Sequence, residues 1–249
     1  MTILQEKILS YYRNYYQIQL NLPNWEELVR SRMKEEKFEE KKIDRLERFL
    51  GKFSGKRILD VGCGTGGFLA AAREKSTSVF GLDPDKEAIE ICKLKGLKNV
   101  RVGRGENLDY KDNFFDIVYC YTVLEHVKDP MQTLKEMVRV VKKNGKIYIH
   151  TPNYLSFYEG HYKIFWLPKF PKFLARIYLK LRGRSTKFLN TINYLTPPKI
   201  IDSLKKFPLE IKLIKHPISK PQSLLGLCIY FYYKIFKIDP QIEMVIKKI

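Results

Sequence analysis

The stretch from Arg57 to Asp83 constrains this chain more than any other. Arg57–Val61 is a short apolar run that predicts a buried strand. Gly62-Cys63-Gly64-Thr65-Gly66-Gly67 follows directly and opens a helix over Gly67–Lys75. Ser78–Leu82 predicts a second strand, ending in Asp83. Glycines between a strand and a helix let the backbone pass close to a ligand, and the helix start presents free N–H groups. A carboxylate at the end of the next strand can accept from both hydroxyls of a ribose. A lone glycine repeat would carry little, but a strand before it and a helix after it are the context a nucleotide site requires. Asp60 enters the loop. A carboxylate there is awkward for a pyrophosphate and suits a cationic amino group, which turns the expectation toward an amino-acid-bearing nucleoside.

The same alternation continues. A helix is predicted over Pro84–Lys95, with Pro84 in its first turn, then strands at Asn99–Val102 and Phe115–Cys120. A helix over Met131–Lys142, ended by Asn144 and Gly145, leads to a fifth strand at Lys146–His150. Strand and helix in strict alternation argue for a parallel sheet wrapped by helices. The first fifty residues read as helix. Asn24 is a candidate N-cap, Glu26 and Glu27 stand in the first turn, and a helix runs on to Leu50 before Gly51. After Pro152 the alternation breaks into an aromatic and basic stretch. It resumes with a helix at Pro198–Lys206, a strand at Glu210–Lys215, a helix at Gln222–Phe236 and a strand at Glu243–Ile249. The expected organisation is a helical segment over 1–55 and an α/β domain over 56–249, with a cap inserted at about 153–193.

Several ordered motifs resemble the class I S-adenosylmethionine-dependent methyltransferases. They are Ile58–Gly67, Asp83, Gly103-Arg104-Gly105-Glu106-Asn107-Leu108, the Phe115-Asp116 pair and Val123-Leu124-Glu125-His126-Val127-Lys128-Asp129-Pro130. The resemblance covers about Lys56 to Asn153 and is nearest to the group of quinone, glycan and lipid methyltransferases. It implies a Rossmann-like, doubly wound, mostly parallel seven-stranded sheet and S-adenosylmethionine as cofactor. Carried over, it puts Gly62, Cys63 and Gly64 around the methionine part, with Asp60 near its amino group and Asp83 on the ribose. Gly105 would face the adenine through its N–H. The family usually has Asp just before that position; Arg104 stands here, and Glu106 is the substitute. Tyr121 and Thr122 would line the sulfonium end. One quinone branch holds a metal through two Glu and a His, but the first of those Glu positions is Thr122 here, so no metal is expected. Glu125 and His126 are expected to cap and orient the next helix, with metal or general-base roles as the alternative.

The implied reaction is an in-line displacement, most simply O-methylation. An alcohol acceptor benefits from a general base, for which His161, Glu159 and His126 are the candidates, with His150 as a weaker one. Charge bears on the acceptor. The formal net charge is +19, and from Thr151 onward 18 basic side chains face only five acidic ones. Basic residues interleave with aromatics across Tyr162–Arg184, and Leu224–Phe236 adds an apolar and aromatic run; together they suit an anionic membrane interface or a substrate-covering cap. The acceptor is expected to be a small molecule, a glycan or a lipid-linked compound. The motifs of DNA amino-methylases are missing after strand four, so no DNA is expected. An RNA- or protein-directed methyltransferase and a non-catalytic cofactor-fold module are the alternatives. Cys63, Cys92, Cys120 and Cys228 form no CxxC pair, which argues against a disulfide scaffold or zinc site and for a reducing compartment. Leu224–Phe236 falls short of the roughly 18 apolar residues of a membrane span. The expected location is cytoplasmic, with peripheral membrane contact.

Overall fold

The computed structural model describes residues 2–76, 78–218 and 220–249, without the side chains of residues 35–37. Strands β1 (Arg57–Val61), β2 (Ser78–Asp83), β3 (Val100–Val102), β4 (Phe115–Tyr121) and β5 (Val141–Pro152) run parallel to one another. Strands β8 (Leu209–Leu213) and β9 (Gln241–Lys248) complete a seven-stranded sheet of order β3-β2-β1-β4-β5-β9-β8. β9 runs antiparallel to both β5 and β8. This is the mostly parallel, doubly wound arrangement expected. The order reverses beside β1, and such a switch point opens a crevice at the strands' carboxyl ends.

Helices α4 (Gly67–Arg73), α5 (Lys86–Leu94), α6 (Pro130–Val140) and α8 (Pro197–Leu204) flank the sheet. α5 starts later than the sequence implies. Asp85 caps it by accepting from the Glu87 and Ala88 N–H groups, so Pro84 lies outside the helix. α6 stops at Val140, and β5 begins at Val141 rather than Lys146. A register shift between Phe115 and Ile117 absorbs the extra residues opposite β4. On one face of the sheet, Leu59, Val118 and Ile147 pack with Met137 of α6 and Ile200 of α8. The other face buries Ile58 and Tyr148 against α4, α5 and the helix α3 (Glu35–Leu50), through Leu69, Ile89 and Leu46.

The first fifty residues form α1 (Ile3–Arg13), a π-helical continuation over Asn14–Gln19, α2 (Trp25–Arg32) and α3. The long helix expected from Asn24 to Leu50 is broken at Met33–Lys34, and Asn24 makes no side-chain cap bond. Thr2 and Gln5 form a reciprocal capping box at the start of α1. After β5 come the hairpin β6 (Tyr158–Glu159)–β7 (Ile164–Phe165) and helix α7 (Lys172–Leu181). These pack on the N-terminal helices in a third core, where Tyr12, Tyr16 and Leu20 meet Trp166, Leu179 and Leu189. Two segments far apart in sequence thus form one layer over the carboxyl edge of the sheet. Helix α9 (Leu224–Ile235) lies between β8 and β9 in the chain.

Candidate active site

A cavity of about 480 Å³ opens where β1, β2 and β4 end. The glycine loop forms its floor. The Gly62 and Cys63 N–H groups donate to Leu82 O at 2.8 and 3.0 Å, which ties the loop to β2. A Cβ at Gly62 would stand 2.3 Å from Val123 Cγ2, so no side chain fits there. At Gly64, with φ +51°, a Cβ would meet nothing within 4 Å. That side of the loop is an open cradle. Asp60 is buried on the cavity wall. Asp83 accepts from Gly64 N through Oδ2 and from Asp85 N through Oδ1, both at 2.9 Å. Burial raises its pKa against those two bonds. Gly105 lies against Thr133 Cγ2, 2.7 Å from where a Cβ would be. Glu106 is drawn aside: its Oε1 accepts from the Lys128 and Asp129 N–H groups at 2.6 and 3.1 Å.

Thr122 lines the cavity with φ +54°, a strained setting for a β-branched residue. Its N–H donates to His150 O at 2.7 Å, and its hydroxyl donates to Tyr121 O at 2.7 Å. The Tyr121 ring, also on the wall, stacks on His150 at 4.3 Å, with Lys42 Nζ 3.3 Å from its centroid. His150 therefore serves as a support behind Tyr121 and does not line the cavity.

The roof is the part that sequence reasoning missed. Tyr11, Tyr12, Tyr15 and Tyr16 of the N-terminal helix line the cavity, joined by Arg32, Glu39 and Phe188. Tyr12 OH pairs with Thr65 Oγ1 at 2.9 Å, which fastens the helix to the glycine loop. Lys7 donates to Glu90 Oε2 at 2.8 Å on the outer side. The signal was present as tyrosine pairs at i, i+1, i+4 and i+5, one face of a helix.

The three catalytic candidates converge. His126 Nε2 and His161 Nε2 are 2.9 Å apart, and His161 Nδ1 lies 2.7 Å from Glu159 Oε1. Glu159 also accepts from Tyr154 OH and Tyr162 N. Of the three, only His126 reaches the cavity; His161 and Glu159 stand behind it. Glu125 is fully buried and accepts from Thr151 Oγ1 at 2.8 Å, and its Oε1 has no hydrogen-bond partner. Neither Glu125 nor His126 caps the next helix. Asp129 does, through the Met131 and Gln132 N–H groups. Burial raises the Glu125 pKa to about 7, while burial and the His161 charge lower that of His126 to about 3. Burial acts to lower His161 too, but the bond and charge of Glu159 outweigh it and the net shift is upward. When both its nitrogens carry a proton, His161 donates to Glu159 and to His126, and His126 Nδ1 is then the donor facing Thr191 Oγ1 at 3.5 Å. One ligand-type atom from each of Glu125, His126 and His161 falls within a 4.8 Å group. The 2.9 Å between the two imidazole nitrogens is a hydrogen-bond distance.

Residues 59–149 match the methyltransferase domain family. An uncharacterized protein of Methanocaldococcus jannaschii is 32% identical over 164 residues, which is 66% of this chain and 68% of that protein. The chain belongs to the class I S-adenosylmethionine-dependent methyltransferases. The ubiquinone biosynthesis O-methyltransferase of Idiomarina loihiensis is 30% identical over 132 residues, 46% of this chain and 52% of that protein. This methyltransferase thus spans about half the length of the curated ubiquinone enzymes it matches. Two solved structures share its fold at low identity. The YcgJ protein from Bacillus subtilis has a TM-score of 0.57 at 18% identity, covering 82% of this chain and 97% of its own. A SAM-dependent methyltransferase from Archaeoglobus fulgidus has 0.55 at 20%, covering 85% and 94%. The cofactor of this enzyme class is S-adenosylmethionine. The open cradle at Gly64, with the buried Asp60 and the half-buried Asp83 beside it, fits it.

Proposed function

We propose that the protein methylates a hydroxyl of a small-molecule acceptor, with glycan- and lipid-linked compounds as the finer class. The observation that carries the choice of oxygen is the His126 imidazole at the cavity wall, paired with His161 behind it and backed by two buried carboxylates. The curated O-methyltransferases among the relatives support it. In this reading Gly62, Cys63 and Gly64 hold the methionine end, and Asp60 faces the amino group. Asp83 takes the ribose hydroxyls, Gly105 and Glu106 border the adenine, and Tyr121 and Thr122 border the sulfonium. S-Adenosylmethionine supplies an electrophilic methyl, and the protein's main contribution is alignment of the acceptor. His126 is the proton acceptor. Burial and the His161 charge hold its pKa at about 3, which keeps it neutral at pH 7 and makes it a weak base until that charge is drawn away. For its Nε2 to take the acceptor's proton, the bond from His161 must shift elsewhere. Glu125 Oε1 stands 3.7 Å from His161 Nε2 and receives it. His161, Glu125 and Glu159 are thus positioning residues. The tyrosine-bearing helices before residue 56 and the insert at 153–193 form the acceptor side. No metal takes part, and the location is cytoplasmic.

Transfer of a labelled methyl to a panel of hydroxylated small molecules tests this. The label is expected in ether linkages, at a rate indifferent to chelators. His126→Gln lowers kcat by roughly 10²–10³-fold with cofactor affinity retained. His161→Gln lowers it less and moves the pH profile. Label on nitrogen, or only in RNA or protein fractions, would overturn the assignment.

A further inference from the structure

Helix α9 is built almost wholly of apolar and aromatic residues, yet among the described residues it buries only Tyr233. Two tyrosines hold it to the body. Tyr233 OH pairs with Ser156 Oγ and Phe157 N at 2.9 Å each, and Tyr232 OH donates to Leu155 O at 3.1 Å. Leu227, Ile229 and Tyr230 are half-buried, while Leu224, Leu225, Phe231 and Ile235 are each at least 52% exposed. Helix α7 repeats the pattern. It turns Ala175 and Leu179 inward and leaves Phe173, Ile177 and Leu181 64%, 56% and 81% exposed. The β6–β7 hairpin connects the two. Phe157 contacts Tyr232 at 4.9 Å and Phe165 at 5.8 Å, and Trp166 contacts Tyr178 of α7 at 6.4 Å. Twelve of the nineteen exposed large apolar side chains among the described residues fall between Tyr158 and Phe236.

Single exposed apolar residues are ordinary, but a concentration of this kind marks an interaction surface. Its charge selects the partner. From His161 to Ile201 the chain has nine Lys or Arg and no Asp or Glu. A self-complementary dimer through this face would bring these basic rows together. A nucleic acid would answer the charge and leave the leucines and phenylalanines in water. Anionic headgroups above acyl chains satisfy both.

We propose that α7, α9 and the hairpin between them dock on the surface of an anionic lipid bilayer. The helices lie along the interface; no helix among the described residues is long and apolar enough to cross a membrane. The docking holds whatever the acceptor's chemistry, so it stands or falls separately from the proposed O-methylation.

Co-sedimentation of the full chain with phosphatidylcholine vesicles, with and without phosphatidylglycerol, is the test. The protein is expected to pellet with the anionic vesicles at low salt, less at high salt, and little with phosphatidylcholine alone. Changing Lys169, Lys172, Arg176 and Lys180 together to Gln lowers the partition coefficient by roughly a hundredfold or more. Leu225→Ser, Phe231→Ser and Ile235→Ser in combination release the protein as well. These positions are exposed, so circular dichroism and cofactor binding should match the parent. A parent that stays in the supernatant overturns the proposal. So does a triple variant that pellets like the parent, a parent that dimerises through this face without binding vesicles, or one that binds RNA and ignores lipid.

Discussion

Asp83 illustrates how one side chain serves the fold and the site together. Its two oxygens accept from Gly64 N and Asp85 N, and so hold the glycine loop to the start of α5. Each carboxylate oxygen has a second lone pair left for a ligand hydroxyl. Replacement by Ala removes both functions. S-Adenosylmethionine affinity is expected to fall by one to two orders of magnitude in Asp83→Ala, from loss of a charged contact worth roughly 1.5–3 kcal/mol. Asn preserves acceptance from one N–H and should bind more tightly than Ala. Calorimetry with unchanged affinity in the Ala variant would remove Asp83 from the site. Thr122 is a second instance. Its positive φ is maintained by hydrogen bonds on both sides, which holds the turn after β4 in a conformation that Thr does not favour in isolation.

At the scale of elements, α6 depends on its start. Asp129 Oδ1 accepts from the Met131 and Gln132 N–H groups at 2.9 and 3.0 Å. Asp129→Ala should cost about 1 kcal/mol, seen as a fall in Tm of roughly 2–4 °C for a domain of this size. No change in Tm would mean that the tertiary contacts of α6 hold the turn without its cap. Elements of this kind are legible in sequence because their signals are local: apolar runs for β1 to β5, a glycine loop, Asp or Pro where a helix begins. What escapes is whatever depends on a distant partner. Val141 reads as the end of a helix until its pairing with Phe115 makes it a strand. The break at Met33–Lys34 interrupts a stretch whose charge spacing suits one continuous helix. The glycine loop and its carboxylates could be located from local spacing, but His126 and His161 stand 35 residues apart and only the folded insert joins them. The tyrosines of α1 and its π-helical continuation share one helix face in the sequence, but nothing local says what that face covers until the third core places it over the cavity.

At the scale of the whole molecule, the junction between sheet and insert contains groups that titrate differently once folded. His126 and His150 have folded pKa values near 3 and 4 against 6.5, both chiefly through burial. The unfolded chain binds the protons that these two refuse, so their contribution to stability is lost as pH falls below about 6.5. Glu125, raised by burial to about 7 from 4.5, opposes that loss over the same range, but one group does not offset two. His161 is shifted upward, so the folded form holds its proton longer than the unfolded one. Its contribution is complete below 6.5 and declines as pH rises through its folded value. Stability should therefore peak near pH 6.5, and His161→Gln should flatten the alkaline side. Denaturant midpoints measured from pH 4 to 9 check this; a midpoint that climbs steadily to pH 9 would refute it.

The antiparallel strand β9 bears on how such a molecule is made. Among the described residues β8 pairs with β9 alone, and β9 is what joins it to β5. As the chain leaves the ribosome, β1 to β5 can assemble with their helices while the outer edge of β5 stays unpaired. β8 emerges with nowhere to pair. Only when residues 241–248 slide between them, antiparallel, does that edge close. Folding thus waits on a late insertion across a long span of sequence, a slow kind of step during which an open edge invites pairing with other chains.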